Sequence, residues 1–111
     1  MKRYCFALDL QNDPAIIAQY KAHHLRVPDA IKKSIRDADI KLMDIYLTGN
    51  RLFMIMEVGE EFSFEKKAKM DASNPQVQEW EELMGRLQKS LPWAPPGEKW
   101  VRMDHIFSLS D

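Results

Sequence analysis

Residues 52–56, Leu-Phe-Met-Ile-Met, are the feature that most constrains the fold of this chain. They lie in a segment from Arg51 to Val58 that has the length and composition of a strand, and the side chains of a strand alternate between two faces. Both faces of this strand are therefore apolar, and both need cover. The chain's own helices can cover one face, but its 111 residues leave no second layer for the other. We therefore expect the sheet of a second subunit to pack on the remaining face.

Strand patterns and helical patterns alternate along the rest of the chain. Asp13 and Pro14 are typical of a helix start, as N-cap and first helical residue. Thr48-Gly49-Asn50 is typical of a hairpin turn, and residues 91–97 are too rich in proline for regular structure. The order βαββαβ is that of a ferredoxin-like α+β fold, and we expect one domain over residues 1–111. The predicted strands are 3–10, 40–47, 51–58 and 100–109, and the predicted helical segments run from 14 to a break at Pro28, over 29–37, over 62–70, and from Pro75 through 87.

Composition narrows the class of protein. A formal net charge of −1 gives no basic surface for nucleic acid and no polybasic membrane anchor. The apolar run from Tyr4 to Leu10 is too short for a membrane span and is interrupted by Asp9. Cys5 is the single cysteine, so an internal disulfide is impossible. We therefore expect a cytoplasmic protein without nucleic-acid or membrane partners.

Tyr20 and His24 are the first candidates for chemistry. Their spacing of four residues on a predicted helix places the phenol and the imidazole on one face, one turn apart. Imidazole is the side chain best matched to proton transfer near neutral pH. A Tyr and a His at this spacing are more commonly packing or surface residues, so spacing alone leaves both interpretations open.

No metal or cofactor site is predicted. His23 and His24 are adjacent and point about 100° apart on a helix, so they cannot chelate one ion together. The sequence has no glycine-rich phosphate loop, no nucleophile elbow and no dinucleotide fingerprint. Cofactor-free chemistry or simple binding therefore remains.

Four further side chains are of interest, and two of them have two interpretations. Trp80 shares a helical stripe with core residues, but an indole also stacks on the apolar face of a sugar. Glu81 is offset from that stripe and is expected to be exposed. Met43 lies on the face of the second strand opposite to that of Tyr46. His105, on the predicted last strand, either belongs to the core or lines a cavity.

Several segments, in their order and spacing, resemble one known family. They are residues 1–10, Tyr20-x-x-x-His24, residues 45–47, residues 49–57, Gln78-x-Trp80 and Ile106-Phe107. Together they resemble the L-rhamnose mutarotase family, and within it the branch usually labelled L-fucose mutarotase. The resemblance covers essentially the whole chain.

The resemblance implies a dimeric α/β barrel of ferredoxin-like subunits, each with a sugar site in its cavity. The implied reaction interconverts the α and β anomers of a 6-deoxy-L-hexose. His24 matches the proton-donating histidine of the family, Tyr20 its sugar-binding tyrosine, and Trp80 the first of its paired tryptophans. As imidazolium, His24 would protonate the ring oxygen, while the second proton-transfer group is left open among Glu81, Asp104, His105 and water.

The chain departs from the rhamnose enzymes at three places. Glu81 stands where they have a second tryptophan, Met43 where they have a substrate-contacting tyrosine, and Pro28-Asp29 where many have Trp-Pro. We therefore predict that Tyr20, Trp80, Glu81 and Met43 line the sugar site and that the reaction type is kept. The sugar is then L-fucose or L-rhamnose, with the departures deciding which.

Two other functions fit the same fold. One is a different cofactor-free enzyme of the dimeric α/β barrel type, such as a small oxygenase of quinols, which would consume oxygen. The other is a non-catalytic sugar-binding module, which would bind sugar without accelerating anomer exchange. Fold alone does not separate these functions.

Overall fold

The computed structural model describes residues 1–110 and has an antiparallel sheet with four helices on one side. No helix within residues 1–110 has the length and apolarity to cross a lipid bilayer. The elements are, in order, β1 (Lys2–Leu10), α1 (Pro14–Leu25), α2 (Asp29–Asp37), β2 (Ile40–Thr48), β3 (Arg51–Val58), α3 (Phe64–Ala72), α4 (Pro75–Leu87), β4 (Gln88–Lys89) and β5 (Val101–Arg102).

The sheet confirms the predicted ferredoxin-like topology. Its strand order is β2-β3-β1-β4, and β5 also pairs with β1. The central strands β1 and β3 are antiparallel, with Tyr4 opposite Met56 and Leu8 opposite Leu52. The two short strands β4 and β5 share the free edge of β1, where one longer last strand was predicted.

The side chains of β3 alternate between the two faces of the sheet, as predicted from the sequence. Its even-numbered residues, from Leu52 to Val58, are buried beneath the helices, whereas Phe53 and Ile55 on the opposite face are half-buried. Two apolar clusters fill the space between sheet and helices. The first is built on Leu10, Tyr20, Leu52, Met84 and Leu87, and the second on Ala38, Ile40, Met56 and Val58.

Each helical region is divided in two, as predicted from its proline. Pro28 precedes α2 and Pro75 begins α4, and neither residue has an N–H to continue a preceding helix. The Asn74 side chain caps α4 by accepting hydrogen bonds from the N–H groups of Gln76 and Val77 at 3.1 and 3.3 Å. These breaks let α1 and α4 lie against the same part of the sheet.

The outer face of the sheet, opposite the helices, carries one buried charge. Asp9 accepts hydrogen bonds from the Arg51 guanidinium at 2.8 and 3.2 Å. The Arg51 guanidinium carbon lies 5.3 Å from the centre of the Trp93 ring, so the irregular loop predicted at 91–97 folds over this ion pair. The loop therefore covers only the end of the outer face near β4.

The predicted last strand, residues 100–109, is wrong beyond its first residues. Regular pairing is limited to Val101 and Arg102 opposite Ala7 and Phe6, followed by one hydrogen bond from the Met103 N–H to the Cys5 carbonyl at 2.8 Å. A strand needs a hydrogen-bonded neighbour along its length, and the chain leaves β1 after Met103. The apolar residues that follow Met103, such as Ile106 and Phe107, are exposed in the single chain.

The first residue of α3 also differs from the prediction. The helix begins at Phe64 and not at Phe62, because Ser63 is its N-cap and accepts a hydrogen bond from the Lys66 N–H at 3.1 Å. Helix ends depend on such local caps, which apolar periodicity does not locate.

Leu52→Ala tests the core beneath the helices. Leu52 is 1% exposed and belongs to the cluster around Tyr20, so we expect this substitution to lower the free energy of unfolding by about 2–5 kcal/mol. Urea denaturation measures the change. Leu25→Ala is the control, because Leu25 is 84% exposed and should change stability little. Equal effects of the two substitutions would contradict this description of the core.

Candidate active site

The helix α1 positions the first two candidate residues. Its start is fixed by Asp13, whose side chain accepts a hydrogen bond from the Ala15 N–H at 2.8 Å, and by Pro14 in the first turn. With this starting residue, the face of α1 that carries Tyr20 and His24 is directed toward the sheet. Tyr20 is buried in the first apolar cluster, and His24, one turn later, is half-buried.

Three aromatic rings from two helices meet at His24. The imidazole stacks on the Tyr20 ring with the centroids 4.3 Å apart and the planes inclined by 27°. Trp80 of α4 makes an edge contact with the imidazole, with ring centroids 5.5 Å apart and planes at 65°. The structure thus brings together the predicted residues Tyr20, His24 and Trp80.

The hydrogen bond of His24 defines its tautomer. Its Nδ1 lies 2.8 Å from the backbone carbonyl oxygen of Tyr20. Because a carbonyl oxygen only accepts hydrogen bonds, Nδ1 carries the proton and donates it. The lone pair of the neutral ring is therefore on Nε2, which is the atom left to accept a proton from a ligand.

Burial sets the charge of His24. Removal of the ring from water lowers the pKa of His24 below its usual 6.5, and the neighbouring His23 lowers it further. The hydrogen bond to the Tyr20 carbonyl raises the pKa of His24, but by less than burial lowers it. At neutral pH the imidazole is therefore mainly uncharged, with Nε2 as a base.

Tyr20 is protonated under the same conditions. Burial raises the pKa of the Tyr20 phenol above its usual 10, and the nearby Gln88 side chain lowers it to a smaller extent. The hydroxyl therefore remains a hydrogen-bonding group at neutral pH and carries no charge.

A groove lies on the outer side of Trp80. It runs between α1, α2 and α4 and has a volume of about 450 Å³, which is within the usual range for small-molecule sites. His23, Arg26 and Glu79 line it together with Trp80. Trp80 therefore both borders this groove and contacts His24.

The other predicted site residues lie outside the aromatic cluster. Glu81 is exposed on α4, with its carboxylate 3.5 Å from the Gln78 amide nitrogen. Met43 is half-buried on the helix side of β2 and packs with the second apolar cluster. A role for either residue in sugar binding stays a prediction.

His105 does not lie on a strand. It is exposed, and its Nε2 donates to the carbonyl of Phe107 at 2.9 Å. Because the strand predicted there ends at Arg102, the alternation that suggested a core or cavity position does not apply. Within the described part of the chain, no group of three His, Cys, Asp or Glu residues converges closely enough to hold a metal ion.

The protonation of His24 can be measured directly. We expect ¹⁵N spectra to show a neutral ring protonated on Nδ1 at pH 7, with a pKa below 6.5, because burial disfavours the imidazolium. His24→Gln, which removes one set of ring signals, assigns the resonances. A ring protonated on Nε2, or a pKa above 6.5, would contradict the geometry.

Comparisons with known proteins identify the family of this chain. The family model described as L-rhamnose mutarotase matches residues 3–109. An L-fucose mutarotase from Xanthomonas campestris pv. campestris is 44% identical over 113 residues, which cover 100% of this chain and 90% of that protein. A UPF0734 protein from Dictyostelium discoideum is 34% identical, covering 97% of this chain and 90% of its own length.

Solved structures show the same fold. An L-rhamnose mutarotase from Formosa agariphila superposes with a TM-score of 0.72 at 19% identity, covering 98% of this chain and 99% of that chain. The tetracenomycin F2 cyclase of Streptomyces glaucescens, a type-II polyketide cyclase, superposes with a TM-score of 0.60 at 16% identity, covering 97% and 96%. At these identities the two structures establish only the fold. The match of the family model to nearly the whole chain and the 44% identical relative establish more: this protein belongs to the L-rhamnose mutarotase family, enzymes that interconvert sugar anomers.

Proposed function

We propose that this protein interconverts the α and β anomers of a 6-deoxy-L-hexose, with L-fucose as the preferred sugar, and that His24 transfers the protons. The observation that carries the proposal is the Nε2 of His24, which is left free for a ligand while Nδ1 is held by the Tyr20 carbonyl. The preference for L-fucose draws on the 44% identical relative that bears that name. We also expect the protein to be cytoplasmic.

The reaction needs one base and one acid. Neutral Nε2 of His24 takes the proton of the anomeric hydroxyl, the bond between the anomeric carbon and the ring oxygen breaks, and the free aldehyde forms. The resulting imidazolium gives the same proton to the ring oxygen. After rotation of the aldehyde about its bond to the second carbon, the reverse steps close the ring on the other face.

In this series of steps the imidazolium of His24 has the role expected from the family, but it forms only during the reaction. Because burial lowers the pKa of His24, few molecules carry the charge at neutral pH before sugar binds. One residue then serves both steps and no second acid is required. Glu81, Asp104 and His105 are all exposed and none contacts the aromatic cluster.

Tyr20 and Trp80 orient the sugar. The indole of Trp80 offers an apolar surface to the C–H groups of one sugar face, and the Tyr20 hydroxyl offers a hydrogen bond. Anomers exchange slowly even in water, so a modest acceleration is enough for function. General acid–base catalysis supplies roughly 10²–10⁴-fold, and positioning adds to it.

His24→Ala should abolish the catalysed exchange while the fold persists. Saturation-transfer proton NMR on the anomeric signals of L-fucose and of L-rhamnose measures exchange with the unmodified protein, with the variant and without protein. We expect exchange above the uncatalysed rate only with the unmodified protein, and faster for L-fucose.

Lys21→Ala is the control for this experiment, because Lys21 is exposed on the same helix and outside the cluster. Circular dichroism checks that both variants are folded. Unchanged exchange in the His24 variant would refute the role of His24. Sugar binding by the unmodified protein without exchange would favour the non-catalytic binding module.

The sheet also supports a homodimer. On the outer face, Phe53 and Ile55 of β3 are half-buried, and the neighbouring Tyr46 of β2 is 57% exposed. In the terminal segment after β5, Ile106 is 92% and Phe107 74% exposed. We expect two subunits to bury these surfaces by packing their sheets face to face, which closes the barrel.

Tyr46→Lys should weaken this dimer. A lysine buried beside Phe53 in this interface loses its hydration, so dissociation at micromolar concentration is expected. Sedimentation velocity measures it. Leu25→Lys is the matched control, since Leu25 is exposed on α1 and away from the sheet. A monomer in the unmodified protein would refute the dimer.

A further inference from the structure

The groove beside Trp80 lies where α1 ends and α2 begins. Arg26 is the C-cap residue of α1 and Pro28 the N-cap residue of α2, and both line the groove. Because Pro28 has no N–H to continue the preceding helix, α1 and α2 remain two separate helices at this point. Trp80 and Glu79 of α4 line the groove as well. Three helices therefore contribute to one groove.

The groove combines an apolar interior with a charged rim. Ile31 of α2 is buried and Leu83 of α4 is half-buried, and both line the groove with the Trp80 indole. Arg26 and Glu79 are exposed, and none of the ion pairs within residues 1–110 involves either side chain. The guanidinium can donate hydrogen bonds to a ligand, and the carboxylate can accept them.

This combination matches a sugar ring. A pyranose has faces of C–H groups that pack on apolar and aromatic surfaces, and an edge of hydroxyl groups that both donate and accept hydrogen bonds. Hydrogen bonds between a hydroxyl and a charged group are among the stronger ones. The volume of the groove, about 450 Å³, is within the range of small-molecule sites.

Trp80 connects the groove to the proposed site of reaction. Its indole borders the groove and makes an edge contact with the His24 imidazole. The His23 ring, which also lines the groove, has its centre 6.4 Å from that of Trp80. His24 itself does not line the groove, so the anomeric carbon that reacts at its Nε2 lies outside. A sugar in contact with both His24 and Trp80 is therefore separated from the groove by no more than one indole.

We propose that the groove receives a second pyranose unit joined to the 6-deoxy-L-hexose, so that the protein also interconverts the anomers of reducing disaccharides. This extension rests on the proposed function. Arg26 and Glu79 hydrogen-bond hydroxyl groups of the second unit. The steps at His24 are those proposed for the free sugar, and no bond to the second unit breaks.

The reaction determines where the second unit is attached. The anomeric hydroxyl must stay free, because its proton is the one that Nε2 of His24 removes. Carbon atoms C3 and C4 lie across the pyranose ring from the ring oxygen and from the anomeric carbon. A substituent on O3 or O4 is therefore directed away from His24, whereas one on O2 is next to the reacting atoms.

Anomer exchange on substituted sugars tests the extension. The probes are L-fucose and L-rhamnose, each as the free sugar and with a β-D-glucopyranosyl unit on O3 or on O4. Saturation-transfer proton NMR follows the reducing-end anomeric signals. We expect kcat/KM for at least one derivative to stay within about tenfold of that for its free sugar, since the new contacts offset the cost of ordering the second unit. A larger loss on every derivative would overturn the extension.

Variants at the rim distinguish a binding subsite from empty space. Arg26→Met and Glu79→Met remove the charged groups but keep side chains of similar length. We expect each to lower the ratio of kcat/KM for the disaccharide to that for its free sugar by roughly 3- to 10-fold, the worth of one hydrogen bond. Arg36→Met and Glu82→Met are matched controls, because both residues are exposed on α2 and α4 and outside the groove. A ratio unchanged in both rim variants would overturn the subsite.

A ligand that cannot react tests the groove without any activity. The 1-deoxy analogue of the disaccharide has no anomeric hydroxyl, so NMR titration measures its binding alone. Trp80→Phe identifies the Trp80 indole N–H among those of the three tryptophans. We expect the analogue to shift this signal and the backbone N–H signal of Ile31, and the 1-deoxy monosaccharide to shift only the Trp80 signal. An Ile31 signal that does not respond to the disaccharide analogue would overturn the subsite.

The measurements separate the possible failures. An absence of exchange on both free sugars would overturn the proposed function and with it this extension. Exchange on a free sugar with failure of every glucosyl derivative would overturn the extension alone. Exchange on a derivative, with a lower ratio in the rim variants and a shifted Ile31 signal, would support both.

Discussion

The central pair of strands, β1 and β3, is the constraint on which the rest of the structure depends. Its inner face supplies the floor of both apolar clusters, and the helices lie where that face must be covered. Its outer face is covered only near β4, where Trp93 packs over the ion pair of Asp9 and Arg51. A sheet that is apolar on both faces but has one layer of helices needs another chain to complete it. The side chains of β1 and β3 alternate between the inner face, which supports the site, and the outer face, which supports the proposed dimer.

The aromatic cluster depends on this floor as well. Tyr20 is held in place by Leu10 and Leu52 from the sheet and by Met84 and Leu87 from α4. Because Tyr20 is fixed, its carbonyl and its ring fix His24 by a hydrogen bond and by stacking. The position of Nε2 is thereby set by packing several residues away, which is how a small fold obtains a preorganised base.

Local sequence predicted most of the helices and strands but not the contacts between them. The helix 29–37 and the strand 51–58 have the predicted bounds, since Pro28 and the hairpin glycine Gly49, with φ of 56°, act within a few residues. The strand predicted at 100–109 failed because its apolar pattern has no partner within the chain beyond Met103. A pattern indicates that residues are buried somewhere, and does not indicate by which molecule.

The same distinction applies to the site. The spacing of Tyr20 and His24 predicts that they share a helix face, and the structure confirms it. Nothing in the spacing places Trp80 against His24, because that contact depends on how α4 docks against α1 and the sheet. Resemblance to a family pointed to Trp80, whereas its contact with His24 is visible only in the structure.

The lowered pKa of His24 has opposite effects on the two halves of the proposed reaction. A less basic Nε2 takes the anomeric proton less readily, but the imidazolium that results is a stronger acid toward the ring oxygen. The ring oxygen takes up this proton as its bond to the anomeric carbon breaks, and a stronger acid delivers the proton more readily at that point. Stacking on Tyr20 and the edge contact with Trp80 contribute to this desolvation without a second charged group. In the proposed reaction, the half-buried position of His24 also reduces the water that competes for the proton while the aldehyde is open.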